Sequence, residues 1–161
     1  MTSQGQGEPV PPRAPLETAV REQMTAAMKA GDKIRLGTLR LLVAAITNRE
    51  KELRRSLTDD EIREVAGKEV KKRSESIEAF DAAGRVELAE RERAEREVLR
   101  DYAPEQLDDA AIDALVDEAI ATTGATSIKQ MGKVMGQVMA KAKGKVDGTE
   151  VQRRVRERLG A

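Results

Sequence analysis

The chain has 161 residues, of which 39% are hydrophobic and 36% charged, and its 29 basic residues balance its 29 acidic residues. This composition is typical of a soluble, helix-rich protein. The chain contains no cysteine and no histidine. Disulfides, the usual zinc sites and catalysis by cysteine or histidine are therefore excluded. We expect no catalytic residue, no metal site and no cofactor.

The longest apolar run, LLVAAI at residues 41–46, is far shorter than the roughly 20 residues of a membrane-spanning helix. The N-terminus has no hydrophobic signal core. We therefore expect a cytoplasmic protein without membrane association.

The N-terminal part of the chain predicts a tail followed by four helices. Residues 1–14 are rich in glycine and proline and predict a disordered tail. Apolar residues then recur at helical spacing through residues 15–102, with Asp32 as a helix cap and Thr58 and Glu61 as a capping box. The second helix, about 33–54, has the broadest apolar face and is expected to be central. That face consists of Ile34, Leu39, Leu41, Leu42, Val43 and Ile46.

The C-terminal part predicts three more helices. Pro104 interrupts the helical pattern and marks a domain boundary. One helix follows up to Gly124, a second begins at a Ser127–Gln130 capping box, and a third is capped by Asp147. No segment alternates as a strand would. The prediction is an all-α protein with a four-helix domain at 15–102 and a three-helix tail domain at 103–161.

Two glycines stand inside the sixth predicted helix. Gly132 and Gly136 lie four residues apart, so both fall on one face of the helix. Each should destabilise the helix by roughly 1 kcal/mol relative to alanine. Either the close approach of a binding partner or tight helix packing would account for them.

Basic residues surround this helix. Residues 125–161 contain nine basic residues and three acidic ones, a composition suited to phosphate oxygens. The chain's two aromatic residues, Phe80 and Tyr102, lie elsewhere, which argues against base stacking and favours recognition of folded RNA by its backbone. The candidate RNA-binding residues are Lys133, Lys141, Lys143, Gly144, Lys145, Arg153 and Arg154, with Gly132 and Gly136 as positions of close approach.

Three segments carry a family resemblance. GQVMAKAKGKVDG at 136–148 resembles the tail domain of the B subunit of tRNA-dependent amidotransferases. AMKAGDKIRLGTLRLLVAAITNRE at 27–50 and KKRSESIEAFDAAGR at 71–85 resemble free-standing GatB/YqeY proteins. The resemblance implies a tail that grips the outer corner of tRNA, whereas the chemistry belongs to other domains and subunits that this chain lacks. The residues that match the tail by position are Gly132, Lys133, Gly136, Lys143, Gly144 and Lys145.

These observations favour an accessory module that binds the tRNA elbow and is not catalytic alone. One alternative, implied by the resemblance, is an amidotransferase-associated protein with carbon–nitrogen ligase activity that uses glutamine as amido donor. Another is a helical adaptor that binds a partner helix at Gly132 and Gly136. The expected partners are tRNA or a tRNA-like RNA, together with amidotransferase or aminoacyl-tRNA synthetase components.

Overall fold

The computed structural model describes residues 12–142 and 144–160, so the predicted tail lies outside the described residues up to position 11. Over the described range the regular structure is entirely helical and includes no strand, which confirms the all-α class. A 3₁₀ turn, Ile128–Gln130, precedes the sixth helix. The helices are α1 Pro15–Ala30, α2 Lys33–Leu53, α3 Asp59–Ala82, α4 Val86–Arg100, α5 Asp109–Thr123, α6 Met131–Lys141 and α7 Gly148–Leu159.

The predicted caps begin these helices. The Asp32 carboxylate accepts a hydrogen bond from the Arg35 backbone N–H at 3.0 Å, and Thr58 and Glu61 cap α3 reciprocally. Helix α2 ends one residue before the expected position because Arg54 adopts a left-handed backbone with φ 58°. Local side-chain chemistry therefore sets the starts of α2 and α3, as the sequence indicates.

Contacts divide the chain into two compact units, with the division between Ala103 and Pro104. In the N-terminal unit both α2 and α3 contact each of the other three helices, so the central position expected of α2 is shared with α3. The largest fully buried side chains of this unit, apart from Glu17, are apolar: Val20, Leu39, Leu42, Ile46, Ile62 and Leu99. Whether each unit folds independently stays a prediction.

Part of the expected apolar face of α2 lies on the surface. Ile34 is 47% exposed and Leu41 is 53% exposed, although both were expected to be buried. Met28, near the end of α1, is also 55% exposed. The apolar residues of α2 extend around more of the helix than its three neighbours cover, so the outermost ones remain in contact with solvent.

In the C-terminal unit, α5, α6 and α7 pack around a small aliphatic core. The fully buried residues include Val116, Val134, Val138, Val151 and Val155. The loop between α6 and α7 is tied to the segment before α5, where the Leu107 N–H donates to the Lys145 carbonyl at 2.9 Å. This connection fixes the end of α6 relative to α5.

Candidate nucleic-acid interface

The two glycines of α6 lie on its exposed face. Val134 and Val138 are directed into the core, whereas Gly132 and Gly136 are exposed. A Cβ atom added at either glycine would meet no heavy atom within 4 Å in the described part of the chain. Tight helix packing within the chain therefore does not explain the glycines, and α6 presents bare backbone at these positions.

Lysines border this bare backbone. Lys133 is exposed, and no acidic group lies within 4.0 Å of its ammonium group in the described ranges. Lys129 is also exposed and lies in the 3₁₀ turn immediately before α6, four residues ahead of Lys133. Lys129 is not among the candidate residues predicted from the sequence, although it is one of the nine basic residues of 125–161 that point to this region.

Lys141 and Lys145 lie together at a second location, beside α5. Both line a shallow depression of about 370 Å³, whose floor includes Leu107, Ala111 and Leu115. The Lys141 ammonium is 2.6 Å from a carboxylate oxygen of Glu118, a residue that also lines the depression. This ion pair offsets part of the positive charge, so the location is a weaker phosphate site than the residue count indicates.

The fold itself explains Gly144. Its backbone has φ 76°, and an added Cβ would lie 3.3 Å from Cγ of Pro104. Its carbonyl accepts a hydrogen bond from the Gln106 side chain at 2.9 Å. Gly144 is thus a structural glycine, although it stays exposed. The neighbouring candidate Lys143 lies outside the described residues.

Arg153 is exposed on α7 and is held by two carboxylates of its own helix. Its guanidinium group forms ion pairs with Glu150 and with Glu157. The hydrogen bond to Glu150 is the main cause that raises the pKa of Arg153. An anionic ligand would have to compete with these two glutamates for the guanidinium donors.

Arg154, a predicted RNA contact, is buried, with only 8% of its side chain exposed. Its guanidinium group lies 2.6 Å from carboxylate oxygens of both Asp109 and Asp113 on α5. Hydrogen bonds from Arg154 and Arg158 lower the pKa of Asp113. This network joins α7 to α5 and removes Arg154 from the candidate interface. The sequence carried a signal for this outcome, since Arg154 follows the apolar Val151 by three residues, a spacing that places both on one face of α7.

Two further properties hold for the described ranges, 12–142 and 144–160. These residues contain no group of three or more histidine, cysteine, aspartate or glutamate side chains placed to hold a metal ion. None of the helices there combines the length and the apolar character needed to cross a membrane.

Comparison with known proteins identifies the family. A family model described as Yqey-like protein matches residues 17–159. The uncharacterized protein C22F3.15 of Schizosaccharomyces pombe is 32% identical over 90 residues, which cover 56% of this chain and 73% of that protein. A protein of Pyrenophora tritici-repentis, named altered inheritance of mitochondria protein 41, mitochondrial, is 37% identical over 79 residues, or 49% of this chain and 44% of that protein. Because the family match extends over nearly the whole chain, this protein belongs to the Yqey-like family.

Proposed function

We propose that the protein binds folded RNA, with tRNA as the favoured ligand, through the exposed face of α6. The observation that carries the proposal is the open space above Gly132 and Gly136 beside Lys133, which forms no ion pair with any residue in 12–142 or 144–160. The tRNA elbow is proposed from the resemblance to the amidotransferase tail.

The energetic argument starts from the cost of the two glycines. Each lowers helix stability by roughly 1 kcal/mol relative to alanine, and both are open to solvent with no internal contact to offset that cost. Because α6 has no Cβ atom at these two positions, the sugar–phosphate backbone of an RNA can come close to the backbone of the helix there. Lys129 and Lys133 then supply the attraction to phosphate oxygens.

Catalysis by the chain alone is not part of the proposal. The sequence has no histidine or cysteine, and we expect no glutamate release when the protein is incubated with glutamine, ATP and misacylated tRNA. Turnover above background that one substitution abolishes would instead favour the amidotransferase-associated activity. A cytoplasmic location also remains a proposal, and cell fractionation would test it.

The experiment is Gly136→Ala in the full chain. If RNA backbone approaches this face, the added methyl group should weaken tRNA binding about tenfold, or roughly 1.4 kcal/mol. The same change should leave thermal stability unchanged or raise it by roughly 0.5–1 kcal/mol, because alanine is the better helix former. Filter binding and thermal melting measure the two quantities.

A matched control separates the methyl group from a general gain in helix stability. Thr122→Ala changes an exposed residue of α5 and should also stabilise its helix, yet leave tRNA affinity unchanged. A Gly136→Ala variant that gains stability and keeps its affinity would contradict the proposal. If the unsubstituted chain does not bind tRNA, and Gly136→Ala instead weakens its binding to a protein ligand at every salt concentration, the adaptor function is favoured.

A further inference from the structure

A stripe of cationic side chains runs along the exposed face of α2, in the N-terminal unit. Lys33, Arg40 and Lys51 follow one another at spacings of 7 and 11 residues, which places them on one line of the helix at roughly 10 and 16 Å intervals. All three are exposed, and the described part of the chain brings no acidic side chain within 4.0 Å of them. Between them the same line carries the exposed Gly37 and Ala44.

The charge around this stripe has the sign that an anionic ligand requires. Residues 12–55 contain ten basic and five acidic side chains, whereas residues 56–101 contain ten basic and fourteen acidic ones. The positive charge of the N-terminal unit is therefore concentrated in α1, α2 and the segments beside them. Within α2, the ion pair between Arg49 and Glu52 uses an arginine outside the stripe.

The stripe repeats the pattern of the exposed face of α6. Gly37, like Gly132 and Gly136, stands inside a helix with no heavy atom within 4 Å of an added Cβ. In α2 the small residues Gly37 and Ala44 lie between cationic side chains, whereas in α6 the two glycines flank Lys133. Lys33, Arg40 and Lys51 can contact phosphates while a sugar–phosphate backbone lies over Gly37 and Ala44.

We propose that this stripe of α2 is a second surface for the phosphate backbone of folded RNA, separate from the α6 face. The inference rests on the proposed function for its ligand and adds a site to it. An anionic membrane is the less favoured ligand. A helix that lies in a membrane surface needs a continuous apolar face. Among the described residues, α2 exposes two large apolar side chains, Ile34 and Leu41, and these do not form such a face.

The test is the pair of substitutions Lys33→Glu and Arg40→Glu in the full chain, with tRNA binding measured across a salt series. At low salt the dissociation constant should rise about tenfold, and the slope of log affinity against log salt should become shallower by about two. Circular dichroism and the melting midpoint should not change, since both side chains are exposed. The matched control is Lys71→Glu with Lys72→Glu in α3, which has the same change in charge and should alter affinity less than twofold.

The outcomes separate this inference from the proposed function. If the α2 pair weakens binding and Gly136→Ala does not, the α2 surface stands and the α6 proposal fails. The reverse result overturns the α2 surface, and so does an unchanged salt slope.

Binding to vesicles of phosphatidylserine and phosphatidylcholine tests the lipid alternative. Binding to them that is lost both in the α2 pair and in Ile34→Ser with Leu41→Ser, while tRNA binding persists, would assign the stripe to a lipid surface and overturn the inference.

Discussion

Glycine serves two different purposes within a few residues of this sequence. Gly144 has a left-handed backbone with φ 76° and lies close to Pro104, so the loop requires a residue without a side chain. Gly132 has ordinary helical geometry and open space around it. Folding therefore explains the first glycine but not the second.

This difference predicts opposite effects of the same substitution. Gly144→Ala should lower the free energy of unfolding by about 1–2 kcal/mol, because a left-handed backbone is costly for alanine and the new Cβ would press against Pro104. Gly132→Ala should instead stabilise the protein. Melting curves of the two variants measure both effects, and a stable Gly144→Ala variant would show that the loop rearranges at little cost.

At the scale of single helices, two adjacent arginines of α7 play different parts. Arg153 is exposed and pairs within its own helix, whereas Arg154 is buried and bridges to α5. Pairs within one exposed helix contribute little to stability. Removal of Arg154 would instead lose the packing of a buried side chain between α7 and α5 and its hydrogen bonds to Asp109 and Asp113, although both carboxylates are open to solvent.

We therefore expect Arg154→Ala to lower the melting midpoint by about 5–10 °C and Arg153→Ala by less than about 2 °C. The two substitutions remove the same side chain from neighbouring positions, so each is the control for the other. Differential scanning calorimetry of the full chain measures the shifts. Equal midpoints would show that the Asp109–Arg154–Asp113 network does not stabilise the C-terminal unit.

The same network gives an acid dependence with a defined sign. Hydrogen bonds from Arg154 and Arg158 lower the pKa of Asp113 in the folded protein. Its contribution to stability is therefore complete above the unfolded pKa of about 4 and is lost as the pH falls through the lowered folded value. The Arg154→Ala variant should lose the share of this acid sensitivity that Arg154 contributes and keep the share that Arg158 contributes.

The helices themselves could be predicted from the sequence, because caps and apolar spacing are local properties. The burial of Arg154 could not be predicted with the same ease, since it depends on which acidic residues α5 presents to α7. The exposure of Ile34 and Leu41 depends similarly on how much of α2 its three neighbours cover. The glycine spacing predicted that Gly132 and Gly136 share a face of α6, whereas the exposure of that face depends on how the helices pack, and the structural role of Gly144 depends on the position of Pro104.

Over the whole molecule, electrical neutrality hides an uneven distribution of charge. Basic residues outnumber acidic ones in 12–55 and in 125–161. Acidic residues outnumber basic ones in 56–101 and in 102–124. A net charge of zero therefore does not exclude nucleic-acid binding, because each unit has one positively charged region. Binding through such local regions should be moderate in affinity and sensitive to salt.

The division after Ala103 predicts that the two units can be separated. A fragment of residues 104–161 should retain helical circular dichroism and melt cooperatively, although so short a chain buries only about 60% of its surface and should have a low midpoint. A fragment that is fully unfolded at 10 °C would show that its three helices depend on the preceding unit.

The most direct measurement of the central claim is the affinity of the intact chain for tRNA at several salt concentrations. Contact with roughly 3–5 phosphates predicts a slope of about −3 to −5 for log affinity against log salt. No binding at low salt, or binding that salt does not weaken, would contradict recognition of RNA through its phosphate backbone.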